Sequence, residues 1–214
     1  MGQKVNPKIL RLGVGLNWTS RWFDDVKYKD TLLEDYIIRK SLMERLKNAG
    51  IAEIDIERSI NSIKITAYVS KPGMVIGRGG TGLEELKAFL SKLLDKKQVK
   101  NQYKIDTQVE PIKDPNLNAY LVGRNISDQL ARRLPAKRVM KSTAERVMAS
   151  GAQGVRIVLS GRIGGAEIGR REKIQQGTVP LSTIRENIDY ASVPSLTKKG
   201  YIGVKVWIHK EEEK

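Results

Sequence analysis

The sequence predicts a mixed α+β / α/β chain of two successive domains: an α/β sandwich of a three-stranded sheet covered by helices, then an α+β domain of two helices on a mostly antiparallel sheet. Three observations predict it. Between residues 31 and 110 the apolar period alternates between helical and strand-like, in the order helix, strand, strand, glycine stretch, helix, strand. "VEPIKDPN" then places Pro111 and Pro115 close together, which marks a boundary. Beyond it, two helical patterns precede four strand-like runs separated by glycine-rich turns. The expected divisions are a basic arm over 1–30, domains over 31–110 and 111–210, and a tail over 211–214.

Residues 1–30 scatter Lys, Arg, Gly and aromatics without clean periodicity and read as an irregular arm. A helix over about 31–49 follows from Ile38, Leu42, Leu46 and Ala49, with Gly50 as its stop. "EIDIE", the turn "SINS" and the alternation Ile63, Ile65, Ala67, Val69 make a β-hairpin with one buried face. After the glycines of "KPGMVIGRGGTG", a stripe of Leu83, Leu86, Phe89 or Leu90, and Leu93 defines a helix ending near Asp95. "YKIDTQV" supplies the third strand.

In the second domain a helix over 116–134 presents Leu117, Leu121, Ile126 and Leu130. Pro135 starts the next helix, where a missing N–H costs nothing. "VRIVLSGRI", "AEIGRREKI", "NIDYASV" and "YIGVKVWIHK" are the strands.

Composition narrows the function. The 214 residues are 40% hydrophobic and 29% charged, ordinary globular material, but Lys and Arg number 39 against 24 acids, a net of +15. That excess favours a polyanionic partner, nucleic acid before membrane. With no cysteine, disulfides, Cys-ligated zinc, iron–sulfur clusters and thiol nucleophiles are excluded. His209, the single histidine, cannot build a multi-His metal site and reads as a strand residue. No apolar run reaches the roughly 18 residues of a membrane span. Arg11 interrupts the only apolar patch that would resemble a signal-peptide core, and Asn6 stands where myristoylation wants Ser or Thr. A cytoplasmic location is expected, with no membrane, cofactor, metal or small-molecule substrate. Glu84 and Glu85 lie on a helix surface without a matched partner, and no nucleophile–base–acid set emerges, so an enzyme is not expected.

The glycine stretch admits several readings. A Walker A loop needs Lys followed by Ser or Thr after the last glycine, which is absent. Gly77, Gly79 and Gly82 formally spell a dinucleotide fingerprint, but only "MVI" precedes them after Pro72 and Gly73, and "DKKQVKNQ" stands where a ribose-binding acid belongs. A ligand-free flexible loop is the plain alternative. A G-x-x-G clamp, Gly77, Arg78, Gly79 and Gly80, suits the chemistry better. It sits between a short helix from Pro72 and the longer helix. Bare backbone lets a sugar–phosphate chain come close, N–H groups at the helix start attract phosphate, and Arg78 adds a forked cation. KH modules hold about four nucleotides this way, and the element order is that of a type II KH domain.

"MGQKVNP…RLG", "KPGMVIGRGG", "SGRIGGAEIGR", "GTVPLSTIRENIDY" and "IGVKVWI" together resemble the bacterial-type third-protein family of the small ribosomal subunit, over Met1 to about Lys210. The resemblance implies a KH domain in the subunit head, bound to small-subunit ribosomal RNA and lining the entrance for messenger RNA. It implies neighbours among the head proteins, the tenth and fourteenth, with the second as a further candidate. Gly79 departs from the family, where many relatives carry a basic residue, so direct phosphate contact at that position is in question.

A second basic surface lies in "QLARRLPAKRVMKSTAERVM", with six Lys or Arg between Arg132 and Arg146 against Glu145 alone. At about 100° per residue, Ala136, Val139, Met140, Thr143 and Val147 share one side, and Lys137, Arg138 and Lys141 the other. Residues 111–214 hold 19 basic and 10 acidic residues, a net of +9, which favours phosphate contact over a merely solvated face. In the resembled family such residues, here Arg132, Arg133, Lys137, Arg138 and Lys141, face incoming messenger RNA and help open paired regions. The glycines of "SGRIGG" mark sheet turns, and its Arg162, Arg170, Arg171 and Lys173 are available to RNA. Trp18 and Trp22 either stack on bases or pack against protein. A free-standing KH-type RNA chaperone or regulator is the alternative function; co-sedimentation with small subunits separates the two.

Overall fold

The computed structural model describes residues 4–59, 61–95 and 104–211. Ile60 of the hairpin turn, most of "DKKQVKNQ" and the last three residues of the tail lie outside them. The chain forms two compact units, one from residues 18–113 and one from residues 114 onward together with the segment up to Asn17. It runs α1 (Pro7–Leu10), β1 (Ser20–Arg21), α2 (Tyr28–Arg45), β2 (Ile51–Arg58), β3 (Ser62–Val69), α3 (Pro72–Ile76), α4 (Thr81–Asp95) and β4 (Lys104–Pro111). There follow α5 (Ala119–Ala131), α6 (Ala136–Ala149), β5 (Gly154–Gly161), β6 (Arg170–Gly177), β7 (Ile188–Thr197) and β8 (Gly200–His209).

In the first unit β2 and β3 form the expected hairpin, Arg58 opposite Ile63, and β4 joins β3 in parallel. This helix–strand–strand–helix–helix–strand order is the type II KH arrangement. Ile63, Ile65, Ala67 and Val69 are all buried. Ile38 and Leu42 of α2 share that core with Leu86, Leu90 and Leu94 of α4. Each such residue contributes roughly 1.5–3 kcal/mol. The stripe on α4 advances in steps of four, so Leu94 replaces the expected Leu93 at the helix end.

The arm expected over 1–30 is divided and partly regular. Its β1 adds a fourth strand, Ser20 against Ile56, and α2 begins at Tyr28 rather than residue 31. Buried Asp35 explains the pairing: it accepts from Ser20 Oγ (2.9 Å), Trp22 Nε1 (2.8 Å) and Arg58 Nε (2.8 Å). Arg58 also binds Glu34 at 2.7 Å. A buried carboxylate of this kind persists because donors surround it.

The second unit is a four-stranded sheet of order β6-β5-β8-β7, antiparallel at every pairing. Helices α5 and α6 cover one face, with Ile126, Leu130, Val139, Met140, Ala144 and Val147 against Val155, Ile157, Leu159, Val204, Val206 and Ile208. The first helix begins at Ala119, not 116, because Pro115–Leu117 make a tighter turn and Asn118 caps the helix, accepting from Tyr120 N and Leu121 N at 3.1 Å. Pro135 stands one residue before α6 as its cap. The strand expected from Ala166 begins at Arg170, because Gly164 and Gly165 turn the chain at φ +68° and +83°.

Residues 4–17 complete this unit. Arg11 is 3% exposed and donates to the carbonyls of Thr183 (2.8 Å), Glu186 (2.8 Å) and Pro7 (3.0 Å). It thereby joins the "RLG" and "VPLSTIREN" segments. Burial lowers its pKa from the usual arginine value, with Glu186 opposing. Nearby, Lys8 reaches buried Asp189 at 2.8 Å, and Asp189 also accepts from Ala119 N at 2.8 Å. His209 is a satisfied strand residue, its ring nitrogens 3.0 Å from Thr178 O and 2.8 Å from Glu186 Oε2.

Candidate nucleic-acid interface

The glycine loop lies between α3 and α4 and does not directly follow a strand, which removes the geometry of a dinucleotide turn. Gly77, Gly79 and Gly80 have φ of +70°, +64° and +84°, values that disfavour side chains. Gly82 serves packing instead, since a Cβ there would collide with the Val75 carbonyl oxygen and push α4 off α3. Thr81 Oγ1 closes the turn on Arg78 O at 3.1 Å. The Gly77 N–H is committed to Gly73 O at 3.1 Å. Arg78 is exposed and has no carboxylate partner among the described residues. Met74 and Ile76 flank the loop with exposed apolar side chains. The loop therefore presents bare backbone, one mobile cation and apolar surface together.

The second surface surrounds α6. Val139, Met140, Thr143, Ala144 and Val147 are buried, as the helical period requires, and Lys137, Arg138 and Lys141 are exposed on the other side. Arg132 and Arg133 are exposed in the preceding turn. Lys141 lies 4.0 Å from Glu145, an exposed pair of small energetic weight. The other four have no carboxylate partner among the described residues. These five cations belong to the second unit and the four loop residues to the first.

Arg133 is conformationally unusual. At φ +64° it is the one non-glycine with positive φ among the described residues. It occupies the left-handed position after a helix, closed by Arg133 N to Leu130 O (2.9 Å) and Leu134 N to Gln129 O (3.2 Å). Glycine is the usual occupant, and a side chain there costs about 1–2 kcal/mol.

Other expectations divide. Trp22 packs, donating to Asp35 and lying 5.3 Å from the Tyr28 ring, whereas Trp18 is exposed. Arg162 is spent on structure, donating to Ala166 O at 2.8 Å, and Arg170 pairs with Glu172 at 3.0 Å. Arg171 and Lys173 face solvent from edge strand β6. Sequence reading missed Arg11, Asp35 and Asp189. Arg11 had one signal, a charge inside an otherwise apolar patch; the two acids had none. Among the described residues no cluster of metal-ligating side chains occurs, and no helix is long and apolar enough to cross a membrane.

Comparison with known proteins agrees with this architecture. A KH-domain family profile matches residues 37–117, and the profile of the ribosomal protein S3 C-terminal domain matches residues 126–208. Over 99% of its length the chain is 49% identical to the small ribosomal subunit protein uS3 of Finegoldia magna, covering 84% of that protein. It is 44% identical to the uS3 protein of Exiguobacterium sibiricum and 45% identical to that of Desulfitobacterium hafniense, covering 94% of each. With its KH unit and its C-terminal α+β unit, the chain belongs to the uS3 family of small ribosomal subunit proteins, a family of ribosomal constituents and not of enzymes.

Proposed function

We propose that the chain is a structural constituent of the small-subunit head that binds small-subunit ribosomal RNA and lines the messenger RNA entrance. The single observation that carries the finer reading is the α6 surface: Lys137 and Arg138, on a helix whose other face is locked into the core, and Arg132 and Arg133, in the turn before it, are exposed without carboxylate partners among the described residues. Charges held this way are available to phosphate and do not need to be freed first. Arg132, Arg133, Lys137, Arg138 and Lys141 hold the backbones of strands as they separate, and the ribosome's own translocation supplies the work. Nothing is hydrolysed at this surface. Gly77, Arg78, Gly79 and Gly80 approach RNA backbone in the KH unit, supported by the exposed loop and its neighbours Met74 and Ile76. Exposed Phe23, Val26 and Tyr36 favour a protein neighbour on the KH unit, and the resemblance points to the tenth, fourteenth or second small-subunit protein.

Replacing Lys137, Arg138 and Lys141 together by alanine slows translation through hairpin-containing messages, while the variant still assembles into subunits. Equal rates for mutant and wild type on structured and unstructured messages would refute the entrance reading. Failure of the wild-type chain to co-sediment with small subunits would favour a free-standing KH RNA regulator instead.

A further inference from the structure

Beside the α6 surface the second unit holds a cavity of about 610 Å³, within the roughly 300–1,000 Å³ range of ligand-sized clefts. Burial sorts its lining into two levels. Leu130, Ile163 and Ile202 are buried and form an apolar floor. Six exposed cations stand on the rim: Arg162 and Arg170 are held by Ala166 O and Glu172, while Arg133, Lys137, Lys198 and Lys199 have no carboxylate partner among the described residues. Glu172 is the single carboxylate in the lining; it pairs with Arg170 at 3.0 Å, and its Oε2 is buried without a hydrogen-bond donor among the described residues.

We propose that this cavity takes one unpaired nucleobase of the RNA strand crossing the α6 surface, base against the floor and phosphates on the rim; the proposal rests on the reading that this surface meets RNA. Three observations support that occupant. An apolar floor beneath a cationic rim matches a nucleotide, whose planar base is poorly hydrated and whose phosphate is anionic. Glu172, the one carboxylate of the lining, disfavours a phosphate at depth and leaves the floor to an uncharged base. Arg133 and Lys137 belong to both the rim and the α6 surface, so a strand held there passes the mouth of the cavity. The left-handed strain tolerated at Arg133 then holds a side chain where the two sites join. A base inside the cavity must be unstacked and unpaired, which costs a few kcal/mol in a duplex and far less in a strand already open. The cavity therefore favours strands that have just separated and opposes their re-pairing.

The test uses the full chain with a short unstructured RNA carrying one photoreactive thiouridine, the same RNA as a duplex, and the same RNA with that base removed. Leu134 lines the mouth and is 45% exposed, so Leu134→Asp adds a repelling charge without opening the core. Wild type crosslinks from thiouridine to peptides holding Ile163 or Ile202, on the cavity floor. Leu134→Asp weakens single-strand binding about tenfold, leaves duplex binding within about twofold, and loses its effect on base-free RNA. Crosslinks confined to Arg132–Lys141, or equal weakening of single strand and duplex, would overturn the cavity assignment while leaving the α6 surface an RNA site. An acidic apolar peptide that fills the cavity while RNA fails to crosslink there would overturn it in favour of a protein tail. Absence of RNA binding by wild type would overturn the α6 reading itself.

Discussion

Replacing Arg133 by glycine should move stability and RNA affinity in opposite directions. Arg133 sits at φ +64° at the end of α5, with its N–H on Leu130 O at 2.9 Å. Relieving the left-handed side chain returns about 1–2 kcal/mol. Glycine's looser unfolded state takes back about 0.4–1 kcal/mol. The net gain is therefore about 0.5–1 kcal/mol, or about 3 °C in the melting temperature of a unit this size. On the RNA side one unpaired guanidinium disappears. Affinity for a single strand should fall about fivefold, and the slope of log affinity against log salt should shrink by about 0.7. Arg132 supplies the control, since its φ of −77° is ordinary. Arg132→Gly should lose affinity similarly but melt no higher than wild type. The assays are thermal denaturation and fluorescence anisotropy across a salt series. An Arg133→Gly protein that melts lower than wild type would refute the strain argument; an unchanged salt slope would refute the phosphate contact.

Two further predictions concern the N-terminal segment. Arg11→Met removes three short charged-donor bonds, each worth about 1.5–3 kcal/mol, and relieves the cost of burying the guanidinium, for a net loss of about 3–4 kcal/mol. Arg11→Lys should recover less than half, because an ammonium cannot reach three divergent carbonyls. Urea unfolding with hydrogen exchange in β7 and β8 reads the effect, and a loss below about 1 kcal/mol in Arg11→Met would contradict it. At Asp189, burial pushes the carboxyl pKa up, but Lys8, Lys210 and the Ala119 N–H outweigh it and leave it below the usual carboxylate value. A depressed folded pKa stabilises above the unfolded value of about 3.9 and loses that contribution as pH falls through the folded value. Acid unfolding should therefore steepen below about pH 4. Asp189→Asn should flatten that steepening and cost about 2 kcal/mol at neutral pH, less than a fully buried pair because Lys8 and Lys210 can rehydrate. Identical pH profiles for variant and wild type would contradict the assignment.

Local period made much of this fold readable. Ile63, Ile65, Ala67 and Val69 alternate and are buried as one face; Val139, Met140, Thr143 and Val147 recur at helical spacing and are buried as another. The exposed cations of α6 followed from the same rotation that buried its apolar side. Where sequence reading slipped, a neighbour outside the local window had intervened. The arm looked irregular because two residues of β1 are too few to show alternation, and they pair only because Asp35 gathers Ser20, Trp22 and Arg58.

By itself the sequence determined most of the segments that become helices and strands, which faces they bury, and that the surface is strongly cationic. These depend on the order of neighbouring side chains and on total charge, both of which are local or additive. The tertiary structure alone decided that Arg11 would clasp a segment 172 residues away, that Asp189 would cap α5, and that Arg133 and Lys137 would share a cavity with Arg162, Lys198 and Lys199. Hydrogen bonds and cavities form between groups that folding brings within a few ångströms, and no period along the chain encodes that meeting.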